Sequence, residues 1–132
     1  TLDILLRDFS DQGMERRIAA VKAWAAAVEA QFPGGQVAVE FKKQYLNMKK
    51  KLDENPRVLE LLYEAARKAG AEPYSKPIRG GTDGARLTEM GIPTPNVFAG
   101  MHNFHGRHEW ASASEMVLGV DTLIELMKLW AA

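Results

Sequence analysis

Within its first 45 residues this chain switches its apolar repeat from two, to between three and four, and back to two, a sequence of periods that few local folds satisfy. Leu2, Ile4 and Leu6 alternate with Asp3 and Arg7, Leu5 being the one exception, as in a strand with one buried face. Met14, Ile18, Val21, Ala25, Val28 and Phe32 then recur at spacings of three and four and mark the apolar stripe of a helix. Ser10 or Asp11 stands where that helix needs its N-cap, and Pro33-Gly34-Gly35 ends it. Val37, Val39 and Phe41 alternate again, with Glu40 and Lys42 on the other face. The expected unit is strand, helix, strand.

A polar stretch over residues 47–54 follows, and Lys49-Lys50-Lys51 within it reads as a solvated face or linker. Asn55-Pro56 supplies an N-cap and a first-turn proline for a second helix, with Val58, Leu61, Leu62, Ala65 and Ala69 on its buried face and Gly70 at its end. Residues 72–78 and 94–98 are short strand candidates. Ser112-x-x-Glu115 is a capping box opening the last helix, whose apolar face of Val117, Val120, Leu123, Ile124, Met127 and Trp130 is expected to pack on a sheet. Trp24, Trp110 and Trp130 are expected to be packing residues. The order of elements is that of an α/β fold, in which sites gather at strand ends.

Seventeen basic residues balance seventeen acidic ones, so no electrostatic footprint for nucleic acid or an anionic membrane is present. Cysteine is absent, which removes disulfides and thiolate metal sites and leaves imidazole and carboxylate as the possible metal ligands. A reducing cytoplasm agrees with this. No apolar run approaches the roughly 18 residues of a membrane span.

Chemistry concentrates in two runs. Arg79-Gly80-Gly81-Thr82-Asp83-Gly84-Ala85-Arg86 is either a ligand-contacting loop with exposed backbone N–H groups or a structural turn between a strand and a short helix, and it matches neither the phosphate-loop nor the dinucleotide spacing. His102, His105 and His108 fall at spacings of three beside Glu109 and are all the histidines of the chain. Neutral imidazole coordinates metal near neutral pH, and two His with a carboxylate suit zinc. Gly106 breaks helical geometry, however, so the three rings need not converge. Arg7 either grips a carboxylate bidentately or pairs with a neighbouring acid on an exposed face.

The runs 76–87, 90–98 and 103–109, the last reading Asn103-Phe104-His105-Gly106-Arg107-His108-Glu109, are similar in content and order to those of the dinuclear zinc metallopeptidase family, which holds tripeptide aminopeptidases, aminoacylases and desuccinylases. The resemblance continues upstream through Tyr45-Leu46-Asn47-Met48-Lys49 to Leu6-Arg7-Asp8-Phe9. It implies an α/β fold in two parts: residues 1–46 as the C-terminal half of a β-α-β lid through which relatives dimerise, and residues 47–132 as the C-terminal segment of the catalytic zinc-peptidase domain. It implies His105 as a ligand of one of two Zn2+ ions, followed by the acidic Glu109. Arg7 takes the place of the lid arginine that holds the substrate carboxylate, Gly81 and Thr82 match the loop contacting that carboxylate, and Asn103 is a further substrate contact. The activity implied is removal of the N-terminal residue of a tripeptide by metal-activated water, in a cytoplasmic homodimer with no nucleic-acid or membrane partner.

The family's His-x-Asp motif, Glu-Glu pair, bridging aspartate and lid histidine do not occur in the sequence. The expectation is therefore a C-terminal portion of a longer enzyme, inactive by itself, and the absent initiator methionine agrees with that. The competing expectation is a non-catalytic peptide-binding or dimerisation module on the same fold, with residues 2–8 and the helix through Trp24 as its surface.

Overall fold

Ser10 sits in extended backbone and its hydroxyl accepts the Gly13 N–H at 3.0 Å, which starts the first helix, α1 (Asp11–Gln31). The computed structural model describes residues 1–78 and 80–132, and these form two compact units, 1–44 and 45–132. Arg79, the first residue of the glycine-rich run, lies outside the described residues.

In the first unit the stripe of α1 is half-buried at Met14, Ile18, Val21 and Ala25 and exposed at Val28 and Phe32. Residues 2–8 and 37–41, expected as strands, join no ladder among the described residues. Alternation marks a segment suited to a sheet, but the backbone hydrogen bonds of a strand must come from a neighbouring strand, and these two segments do not pair with each other. Residues 37–41 instead lie along α1: the Val37 N–H donates to Glu29 Oε1 at 2.7 Å, and Lys22 Nζ stands 5.6 Å from the centre of the Phe41 ring.

The second unit is built on two helices. Residues 47–54, expected as a solvated face or linker, contain a short helix, α2 (Lys49–Asp53), which Lys49 and Asp53 brace by an ion pair of 2.7 Å one turn apart. The lysines are solvated as expected, while Leu52 turns inward. Helix α3 (Pro56–Lys68) begins with proline at its first position and closes at Gly70, whose φ of 94° lets Ala71 N–H reach Ala66 O and Gly70 N–H reach Arg67 O. Helix α4 (Asp83–Glu89) begins within the glycine-rich run. A two-residue antiparallel pair, β1 (Met101–His102) and β2 (Trp110–Ala111), aligns Met101 with Ala111 and His102 with Trp110. Helix α5 (Ala113–Ala131) packs against α3.

The buried residues of that helix pair are small: Ala65 and Ala66 on α3, Gly119 and Thr122 on α5. Thr122 is fully buried, and its hydroxyl is satisfied by donating to Leu118 O at 2.8 Å. This overturns the expected orientation of α5. Val117, Val120, Leu123, Ile124, Met127 and Trp130 all face outward, and Leu118, Gly119, Thr122, Leu126 and Leu129 face inward or sit half-buried. The helix is apolar nearly all round, so periodicity alone picks no side, and no sheet among the described residues covers the outer row.

Residues 72–78 and 94–98 also lack strand partners among the described residues. The second of these is held by α4, where the Thr94 N–H donates to Thr88 Oγ1 at 2.9 Å. Among the described residues the fold is thus mixed but helix-rich, with one small sheet. No helix among the described residues is long and apolar enough to cross a membrane.

Candidate functional site

The glycine-rich run resolves into the N-terminus of α4. Thr82 is its N-cap, in extended backbone, with its hydroxyl 3.4 Å from the Ala85 N–H. Asp83 follows in the first turn, where a carboxylate opposes the positive end of the helix. Gly84 is buried because residues 94–96 pass across it: a Cβ there would come within 2.6 Å of Thr94 O. Gly81 is exposed, yet a Cβ would overlap the Tyr45 ring. Both glycines therefore have structural reasons to be glycine.

The imidazole run is the loop joining β1 to β2. Asn103 and His105 adopt left-handed backbone at φ 54° and 63°, a region that side chains other than glycine occupy at a cost of about 1 kcal/mol or more each. Gly106 N–H donates to Asn103 O at 2.9 Å, Glu109 N–H to Gly106 O at 3.2 Å, and Asn103 Nδ2 to His108 O at 3.3 Å. The result is a tight, internally bonded loop that presents His105 to solvent.

The three histidines do not act together. His102 Nε2 is 2.6 Å from Glu115 Oε2, and its ring stacks on Trp110 with centroids 4.1 Å apart and planes 14° apart. Among the described residues no group of three or more His, Asp and Glu side chains is arranged to hold a metal ion. Trp110, expected to be buried packing, is half-exposed and serves as the platform for His102. Trp24 and Trp130 are likewise exposed, the latter with Arg57 5.7 Å from its ring centre.

Of the other residues singled out, Arg7 is exposed in the first unit, next to Asp8. Asp8 beside it is held ionised by several donors. It accepts the Ser10 backbone N–H at 3.0 Å and Arg17 Nε at 2.9 Å, and these donors hold its carboxyl well below the usual range, at about 2, the backbone N–H contributing most. A cleft of about 290 Å³ in this unit is lined by Leu6, Asp8, Arg16, Arg17, Val21 and Trp24 among others, and Arg7 is not part of its wall. Gly81 and Thr82 lie at the start of α4, and Asn103 and His105 lie in the β1–β2 loop, two separate elements of the second unit.

Glu115 is the residue that sequence reasoning misread. Its spacing from Ser112 marks a capping box, and Ser112 Oγ does accept the Glu115 N–H at 3.4 Å. The reciprocal bond to Ser112 N–H is not made, because Gly100 O already takes that N–H at 2.8 Å and the carboxylate turns to His102 instead.

Residues 10–129 match the sequence model of peptidase family M20/M25/M40. The chain belongs to that family. It is 41% identical over 126 residues to the Peptidase T of Geobacillus thermodenitrificans, covering 96% of this chain and 31% of the relative. It is 41% identical over 129 residues to that of Geobacillus kaustophilus, covering 98% and 31%, and 40% identical over 131 residues to that of a Clostridium perfringens strain, covering 99% and 32%. The chain thus spans about a third of the length of these relatives.

Proposed function

We propose that the chain serves as the C-terminal part of a zinc-dependent aminopeptidase that removes the N-terminal residue from tripeptides. The observation that carries this reading is its 40–41% identity to several Peptidase T sequences along almost its whole length. Residues 1–46 then belong to a lid through which two copies associate, residues 47–132 belong to the catalytic domain, and the enzyme works in the cytoplasm. His105 is a ligand of one of two zinc ions. Arg7, Gly81, Thr82 and Asn103 bind the substrate, Arg7 by the paired N–H groups that a guanidinium offers a carboxylate.

The donors of this chain do not fit a zinc site by themselves. A catalytic zinc takes about three protein ligands, and no such group exists among the described residues. The missing ligands have to come from the two-thirds of the relatives' length that the chain does not span. The chain alone is expected to hold no catalytic zinc and to cleave no tripeptide.

The test is a chimera in which the matching stretch of the Geobacillus kaustophilus Peptidase T is replaced by this chain, with release of the N-terminal residue of a tripeptide as the readout. Turnover that is abolished by H105A and weakened through KM by R7A supports the reading. A folded chimera without turnover overturns it, and turnover by the chain alone overturns the inactivity assigned to it. Saturable tripeptide binding without hydrolysis identifies a peptide-binding module instead.

A further inference from the structure

The loop of residues 103–109 contains two left-handed residues other than glycine, and such a backbone persists only where its surroundings hold it. A two-residue ladder is too short to do so alone, since isolated hairpins are marginal even with longer strands. We propose that His102 is a positioning residue: stacked on Trp110 and hydrogen-bonded to Glu115, it clamps the base of the loop carrying Asn103 and His105 to the first turn of α5.

The geometry is specific. His102 and Trp110 are directly paired in the register, so their rings close the loop at its two ends, 4.1 Å apart. A carboxylate only accepts, so the His102 Nε2–H donates to Glu115. Gly100 brings β1 to the helix: its φ is 66°, and a Cβ there would fall 2.7 Å from Met116 N and 2.8 Å from Glu115 Cβ. By taking the Ser112 N–H, Gly100 O also removes the partner that the capping-box spacing offers Glu115 and leaves the carboxylate for His102. One imidazole thus ties together both loop ends and the helix. The contact is partly exposed, with the His102 and Glu115 side chains 39% and 47% accessible, so the ring stack and the hydrogen bond have to act jointly. The value of the clamp for catalysis rests on the reading of His105 as a metal ligand and Asn103 as a substrate contact, whereas the clamp itself does not.

Amide hydrogen exchange, followed by NMR on the 132-residue chain without metal or peptide, tests it at the Gly106 and Glu109 N–H groups, which are bonded within the loop. H102A is expected to speed their exchange about tenfold, and H102F and E115A a few-fold, because each of the latter keeps one half of the clamp. E115Q keeps an acceptor and is expected to stay within about twofold of the parent. Amides inside α3 serve as the control for global stability. Unchanged loop exchange in H102A overturns the proposal, as does a rise that α3 shares equally, since that marks ordinary loss of stability. Should H102A lose its helical signal, H102F and E115A are judged by the same criteria. No enzyme activity enters the readout, so failure of the clamp and failure of the peptidase reading are separately visible.

Discussion

Gly13 lies directly under the Asp8 carboxylate, so close that a Cβ on residue 13 would overlap the carboxylate oxygens. The first turn of α1 and the segment before it are thereby locked through one missing side chain. Alanine favours a helix over glycine by about 1 kcal/mol, yet Gly13→Ala is expected to destabilise the first unit by on the order of 1 kcal/mol, because overpacking displaces a carboxylate held by three donors. In an Asp8→Ala background the same substitution should become stabilising. Chemical denaturation of the four proteins of this cycle checks the reversal of sign; equal effects in both backgrounds would sink the argument.

The same carboxylate makes α1 sensitive to acid. The Asp8 carboxyl is lowered from 3.8 to about 2 by the Ser10 N–H and by Arg17, so its contribution to stability is complete above 3.8 and disappears as the pH falls towards 2. The expected result is a loss of α1 helical signal over that window which Asp8→Asn does not show. The Arg17 Hε resonance, bonded to Asp8 Oδ2 at 2.9 Å, should report the same midpoint.

Features set by neighbouring residues were legible in the sequence, and features set by distant ones were not. The Ser10 cap, the proline start of α3, the glycine end of the same helix and the Ser112 cap all follow from side chains within four residues of the backbone they satisfy. The strands did not follow, because alternation at residues 2–8 or 37–41 says nothing about whether a partner strand is at hand. The buried side of α5 was missed because Gly119 and Thr122, which do the packing, carry little apolar signal beside the Val117 row. For the loop, glycine and imidazole marked where chemistry lies, but the diversion of Glu115 to His102 depends on where Gly100 O falls in space.

Gly81 offers a test of whether the glycine-rich run is built for packing. Its missing side chain makes room for the Tyr45 ring, and both residues belong to the second unit. Gly81→Ala is expected to push that ring aside at a cost of roughly 1 kcal/mol, and Tyr45→Ala should remove the cost. The Tyr45 ring resonances and denaturation midpoints of both single variants and the double variant measure this. A Gly81→Ala protein of unchanged stability with unchanged Tyr45 shifts would leave close approach of a ligand as the remaining reason for the glycine.

The outer row of α5 carries the last prediction. Val117, Val120 and Met127 are 60%, 57% and 64% exposed, with Leu123, Ile124 and Trp130 beside them, and a contiguous apolar strip of this kind marks an interaction surface on a protein in water. The purified chain is expected to associate in a concentration-dependent way, seen as a shift in sedimentation with loading. Burying one such side chain is worth about 1.5–3 kcal/mol, so Val120→Lys with Leu123→Lys should weaken association on the order of a hundredfold while leaving the helical signal intact. Thr122→Lys, one residue from Leu123 but fully buried, should lose helical signal instead. If both sets of changes leave association untouched and only Thr122→Lys alters folding, the outer row of α5 is not a second surface through which copies meet, and association rests on residues 1–46 alone.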